Sequence, residues 1–209
     1  MSADTALWTT CYIVSDTVNG RIPDHRIETL FPLAPGEIAL AAGNMGVDSF
    51  HALGAITPER TSTFVWGGGL VGLAVAVTAL ASGASRRAQA RADAIEAWRP
   101  LFGGTLFVTD AGVYLQSLQG LSRWDWESVD LMQVTGYNSV IVQARMPAGP
   151  VSWLIHSEWA ELMFALWALR RHPEHPQLQD GSWLPANWLA WATEQGYRPH
   201  LDRPQLGSS

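Results

Sequence analysis

Residues 103–117 read GGTLFVTDAGVYLQS, and this stretch decides the fold. After Gly103-Gly104, Thr105 to Thr109 alternates with Leu106 and Val108 on one face, the period-two pattern of a half-buried strand. Asp110-Ala111-Gly112 carries turn chemistry, and Val113 to Ser117 is a second apolar strand. The stretch therefore predicts a β-hairpin.

Working downstream, short segments at 128–135, 139–146 and 150–156 are separated by Gly136-Tyr137-Asn138 and Pro147-Ala148-Gly149, both turn-forming. Val140, Val142 and Ala144 share a face. Ser157 then stands where a helix N-cap is expected. Glu158 and Glu161 occupy the first turn, Arg170, Arg171 and His172 the last, and Pro173 stops the helix. Trp159, Leu162, Met163, Leu166 and Leu169 recur at the helical period and predict a core stripe covering one open end or face of the sheet. Upstream, Glu37 to Ala42 and Asp48 to Leu53, either side of a Gly43-Asn44-Met45-Gly46 turn, predict two more strands. The result is an α+β chain with seven short antiparallel strands and a closing helix.

That order of elements resembles the pleckstrin-homology fold, and GTLFVTDAGVYL at 104–115 resembles the GRAM-type hairpin, with Trp126-Glu127-Ser128-Val129 as the short segment that follows it. Leu33-Ala34-Pro35-Gly36-Glu37 resembles the lead-in to the first strand of that group. The resemblance implies an antiparallel β-barrel or sandwich capped by a C-terminal helix. Inositide-binding members carry a basic loop between the first two strands. With GNMG read as that loop there is no cation in it, so headgroup binding is not carried over, and the resemblance supplies architecture alone.

Residues 61–85 carry no charge, and their centre at 64–81 reads FVWGGGLVGLAVAVTALA. As a helix this centre would rise about 27 Å, just short of a hydrocarbon core of about 30 Å. Phe64, Val65, Trp66, Leu70, Val71, Leu73, Val75, Val77 and Leu80 are the residues expected to enter a membrane, while Gly67, Gly68, Gly69 and Gly72 weaken the run. Arg86, Arg87 and Arg91 follow it in SRRAQARADAIEAWR (85–99), read as an Arg-bearing helix ended by Pro100, with its guanidinium groups expected at anionic headgroups. A run spanning once would place the N-terminus outside and separate strands that the sheet needs together. A hairpin excursion into the interface, or burial in a protein partner, avoids that conflict.

The formal charge of −6 argues against binding nucleic acid, which needs clustered cations. All thirteen basic residues are Arg, which fits codon bias better than a functional demand. The one cysteine, Cys11, cannot form an internal bridge, and the N-terminal stretch has an acid at Asp4 and no long apolar run, unlike a secretory signal. The eleven tryptophans point to large apolar contacts. Trp124 and Trp126 fall on one face of an extended segment, either as an exposed interaction pair or packed against the last helix or the apolar run. A second short helix is expected from near Pro185 to Gly196, docking through Trp188, Leu189 and Trp191.

Catalytic signals are weak. His172-Pro173-Glu174-His175 sits between prolines in a loop, His156 has no nucleophile or orienting acid at a recognisable spacing, and neither Gly67-Gly68-Gly69 nor Gly103-Gly104 has phosphate-loop spacing. Cys11 and His25 are a thiol and an imidazole that nothing brings together. No catalytic residue, metal ligand or cofactor is assigned.

The resulting division is a lead-in at 1–35, a split pleckstrin-homology-like or GRAM-like domain at 36–55 and 102–172, an apolar plus Arg-rich helical insertion at 56–100, and a Trp-rich tail at 173–209. The functional expectation is a non-enzymatic binding or scaffold protein on the cytoplasmic face of a membrane, with lipid or a protein as partner. The alternative is a soluble interaction module whose apolar helix is buried in a homo-oligomer.

Overall fold

The computed structural model describes residues 3–21, 23–51, 97–146 and 149–196. Helix α1 spans Ala3–Val18. The strands are β1 Ala39–His51, β2 Ala97–Thr109, β3 Gly112–Ser117, β4 Gly120–Asp125, β5 Val129–Gly136, β6 Ser139–Met146 and β7 Gly149–His156. A 3-10 turn at Trp126–Ser128 separates β4 from β5, and α2 Ala160–Arg171, α3 Pro176–Asp180 and α4 Trp188–Glu194 complete the chain. All strands belong to one antiparallel sheet of order β4-β3-β2-β1-β7-β6-β5, curled into a half-barrel. Trp124 on β4 meets Trp153 on β7 at 4.9 Å between ring centroids, although three strands lie between them in the sheet order. Only strong curl brings those rings together.

The decisive hairpin is present: β2 and β3 pair from Val108 with Val113 to Gly104 with Ser117. Thr109, fully buried, holds its turn by accepting from the Gly112 N–H at 2.9 Å and the Ala111 N–H at 3.3 Å. The strands β5, β6 and β7 lie where periodicity places them, to within a residue at their starts.

Three expectations are corrected. Gly43-Asn44-Met45-Gly46 is no turn: β1 runs through it, pairing Gly43 with Leu106 and Gly46 with Gly103. A Cβ on Gly43 would lie 2.8 Å from the Trp159 ring, so this glycine serves a close approach of the closing helix. Second, Ala97 to Arg99 belong to β2, not to a helix ended by Pro100. Pro100 sits opposite Asp48 beside a register shift, in the part of β2 that has no β3 partner, where a missing N–H is tolerated. Gly103-Gly104 lies inside the same strand, and a Cβ on Gly104 would overlap the Gln116 carbonyl oxygen. Third, Ser157 precedes the helix instead of capping it; Trp159 occupies the N-cap, and the Ser157 hydroxyl accepts from its N–H at 3.3 Å. The lead-in, for which no element was expected, contains α1, which packs on α2. Residues on both sides of 52–96 thus share one body, and an N-terminus separated from the sheet by a single crossing does not fit it.

Helix α2 packs on β5, β6 and the 3-10 turn. Every residue from Ala160 to Ala168 is buried, more than the expected stripe, because α1 covers the side turned away from the sheet. Its indoles fasten it to the strands: Trp159 Nε1 donates to the Ala42 carbonyl at 2.9 Å and Trp167 Nε1 to that of Val129 at 3.1 Å. The edge strand β5 is covered by Gln177 of α3, whose side chain bonds both the N–H and the carbonyl of Val134.

Candidate functional site

The antiparallel register sorts the connections onto two ends of the half-barrel. At one end lie the β2–β3 and β5–β6 turns, together with α2 as it leaves β7. At the other lie the β3–β4 turn after Ser117, the paired ends of β6 and β7 at Met146 and Gly149, and the paired ends of β1 and β2 at His51 and Ala97. β1 and β2 overrun the sheet at this second end as a two-stranded ribbon, closing at His51 opposite Ala97. The described chain thus stops at His51 and resumes at Ala97 side by side.

This end is apolar on its outside and plugged within. Phe50 and Leu101 are about half exposed, at 49% and 47%, and Leu118 stands fully out on the β3–β4 turn. Phe50 packs edge-on against Trp98 with 5.4 Å between centroids. Phe102 meets Trp153 edge-on, and Trp153 in turn lies tilted against Trp124. Trp124 and Trp126 are 2% and 1% exposed, so they are core residues and not an exposed pair. Trp126 Nε1 donates to the Asp110 carbonyl at 3.1 Å, tying the 3-10 turn to the β2–β3 hairpin. The expected membrane residues Phe64, Val65, Trp66, Leu70, Val71, Leu73, Val75, Val77 and Leu80, and the headgroup residues Arg86, Arg87 and Arg91, lie outside the described residues. Among the described residues no helix is long and apolar enough to cross a membrane.

In the tail, Trp188 and Ala192 dock while Leu189 and Trp191 are more than one-third exposed, so only part of the expected docking face is used. Helix α4 ends at a left-handed Gly196, as its sequence suggests.

Three polar constellations escaped sequence reasoning. Glu37, its side chain 2% exposed, accepts from the Thr109 hydroxyl at 2.5 Å, the Tyr114 hydroxyl at 2.8 Å and Arg123 Nε at 3.2 Å. Burial by itself would raise its pKa, yet these hydrogen bonds hold it below the ordinary carboxylate value. It clamps the lead-in to β2, β3 and β4.

On the outer face of the sheet, His156 gains the partners its sequence position did not disclose. Its Nδ1 lies 2.9 Å from Ser139 Oγ, and its Nε2 lies 3.3 Å from Asp48 Oδ2. The three residues come from β6, β7 and β1, and the set superficially has the membership of a hydrolytic triad. It stands on an open strand surface with His156 itself exposed, and it lines neither of the clefts at α1 and Glu161. It reads as a cross-strand polar clip. The imidazoles of His172 and His175 pack on Trp167, at 4.9 and 5.9 Å, and Cys11 is fully buried with its thiol pushed up to about 12 by burial. A thiol so raised is no nucleophile near neutrality.

The third constellation is Glu161, 1% exposed in the first turn of α2, at the end opposite the ribbon. Burial raises its pKa to about 7, against the lowering effect of the Asn138 N–H that donates to Oε1 at 2.8 Å. It reaches a cleft of about 350 Å3 between the β5–β6 turn and residues 182–186. A second cleft, about 630 Å3, lies between α1 and residues 21–25 and includes Trp8, Asp16 and His25.

Compared with known proteins, the chain matches no family model, no curated protein and no solved structure.

Proposed function

We propose that this chain is a non-enzymatic, membrane-associated binding or scaffold protein built on a pleckstrin-homology-like domain, held at the cytoplasmic face by the apolar segment between β1 and β2. The observation that carries the reading is the overrunning ribbon. His51 and Ala97 are paired, so the segment that contains the uncharged run starts and finishes side by side, at the end of the half-barrel whose exterior carries Phe50, Trp98, Leu101 and Leu118. A segment tethered in this way enters and returns from the same side, which favours an interfacial excursion over a single crossing. Aromatic and large aliphatic side chains around its root suit the boundary between headgroups and hydrocarbon. The strand order, with a closing helix after the seventh strand, supports the pleckstrin-homology likeness.

Flotation of the full chain with anionic phospholipid vesicles tests the reading. The chain is expected to float. Each basic residue near an anionic surface contributes about 1 kcal/mol, so replacing Arg86, Arg87 and Arg91 by Ala weakens partition on the order of a hundred-fold. A full chain that stays unbound and monodisperse at low salt overturns the proposal. An unbound chain that sediments as an oligomer, and becomes monomeric when 61–85 is deleted, supports the alternative of an apolar helix buried between copies.

A further inference from the structure

The Glu161 cleft has a chemistry that membrane attachment does not use. Val134, Gly136 and Tyr137 line one side, Trp183, Leu184 and Pro185 the other, and its volume of about 350 Å3 falls in the lower part of the range of small-ligand pockets. Glu161 Oε1 is occupied by the Asn138 N–H, but Glu161 Oε2 and the side-chain oxygen of the same Asn138 are buried without a hydrogen-bond partner among the described residues. Once Glu161 is ionised its Oε2 is an acceptor to which no described residue donates. None of the described lining residues is cationic. The Tyr137 hydroxyl, on a residue of the cleft lining, donates to Asp4 of α1 at 3.1 Å. Burying an ionised carboxylate with one oxygen unpaired is unfavourable, and a paired cation relieves both the charge and the missing hydrogen bond.

We propose that this cleft binds a small cationic group, an alkylammonium or alkylguanidinium, whose N–H donors engage Glu161 Oε2 while its stem lies along Trp183, Leu184 and Pro185. The same chemistry terminates a free amine and a Lys or Arg side chain. Glu161 must ionise for the pairing, so binding strengthens as pH rises through about 7. The other titratable side chain of the cleft lining is Tyr137 from the β5–β6 turn, raised to about 12 by burial and by its hydrogen bond to Asp4 and so neutral across this interval.

The test is an NMR titration of the full chain with n-butylammonium and n-butylguanidinium, with n-butanol as the uncharged probe, following the Asn138 amide and the Trp183 indole N–H. Saturable shifts are expected with both cations and none with butanol. Glu161→Gln keeps the side-chain shape and an oxygen for the Asn138 N–H, and is expected to weaken cation binding about ten-fold or more through loss of a charge-assisted hydrogen bond. Tighter binding of a short peptide with an internal Arg than of n-butylguanidinium identifies a side chain as the ligand; weaker binding identifies a free amine. Equal shifts in wild type and Glu161→Gln, or equal shifts with butanol, overturn the proposal and leave a water-filled cleft. Should Glu161→Gln fail to fold, the wild-type pH series decides: affinity that is flat or falls as pH rises through about 7 overturns it.

Discussion

Glu37 and Glu161 are both buried carboxyls, and their surroundings drive them in opposite directions. Three side-chain donors hold Glu37 ionised; losing them exposes a desolvated cluster, so Glu37→Gln is expected to lower unfolding free energy by about 2 kcal/mol or more in urea denaturation, with Tyr114 and Arg123 left mispaired. Its folded pKa is depressed, so its contribution is present above the ordinary carboxylate pKa and is lost as pH falls through the folded value. Glu161 has the reverse sign. With a folded pKa of about 7 against 4.5 for the free side chain, it lowers stability progressively as pH rises from 4.5 to 7 and no further above that, by on the order of 3 kcal/mol in all. Glu161→Gln is therefore expected to flatten that decline, and thermal melts across the interval measure it. Neither network is legible in the chain. Glu37 meets its hydroxyl partners across separations of 72 and 77 residues, and Glu161 meets Asn138 only because α2 folds back on the β5–β6 turn.

At the scale of elements, local pattern served where one face of a strand is buried and failed where packing overrode local preference. The β2–β3 hairpin and β5 to β7 followed from alternation and turn residues. β1 did not, because two glycines flanking Asn44-Met45 have turn chemistry in isolation, whereas here Gly43 is demanded by the indole of Trp159 above it. This makes a paired prediction. Gly43→Ala places a Cβ 2.6 Å from Glu158 Oε1 and 2.8 Å from the Trp159 ring, and should cost about 1–3 kcal/mol by overpacking. Gly46→Ala, three residues along the same strand, meets nothing closer than the His156 Cβ at 4.0 Å and should be neutral or slightly stabilising. Equal melting temperatures for the two variants would contradict this account of the strand. The same override acts on α2, whose amphipathic stripe was readable but whose full burial required α1, an element that the N-terminal sequence did not announce.

For the molecule as a whole, the ribbon end and the Glu161 end divide the proposed work: attachment at one, cation binding at the other. Phe50, Leu101 and Leu118 hold little of the core together, so their combined substitution by Ser is expected to leave the melting temperature nearly unchanged while reducing vesicle partition at least ten-fold, given about 1.5–3 kcal/mol for fully burying one such side chain. A large fall in melting temperature would show instead that these side chains are covered by the protein's own residues. What the sequence by itself determined is the antiparallel class of the sheet, the closing helix and the uncharged run, because alternation, helical period and charge are properties of neighbours along the chain. The curl that buries Trp124 against Trp153, the pairing of His51 with Ala97 and the isolation of Glu161 were decided only by tertiary structure. Each depends on residues distant in sequence being brought together, and a local pattern carries no record of such a meeting.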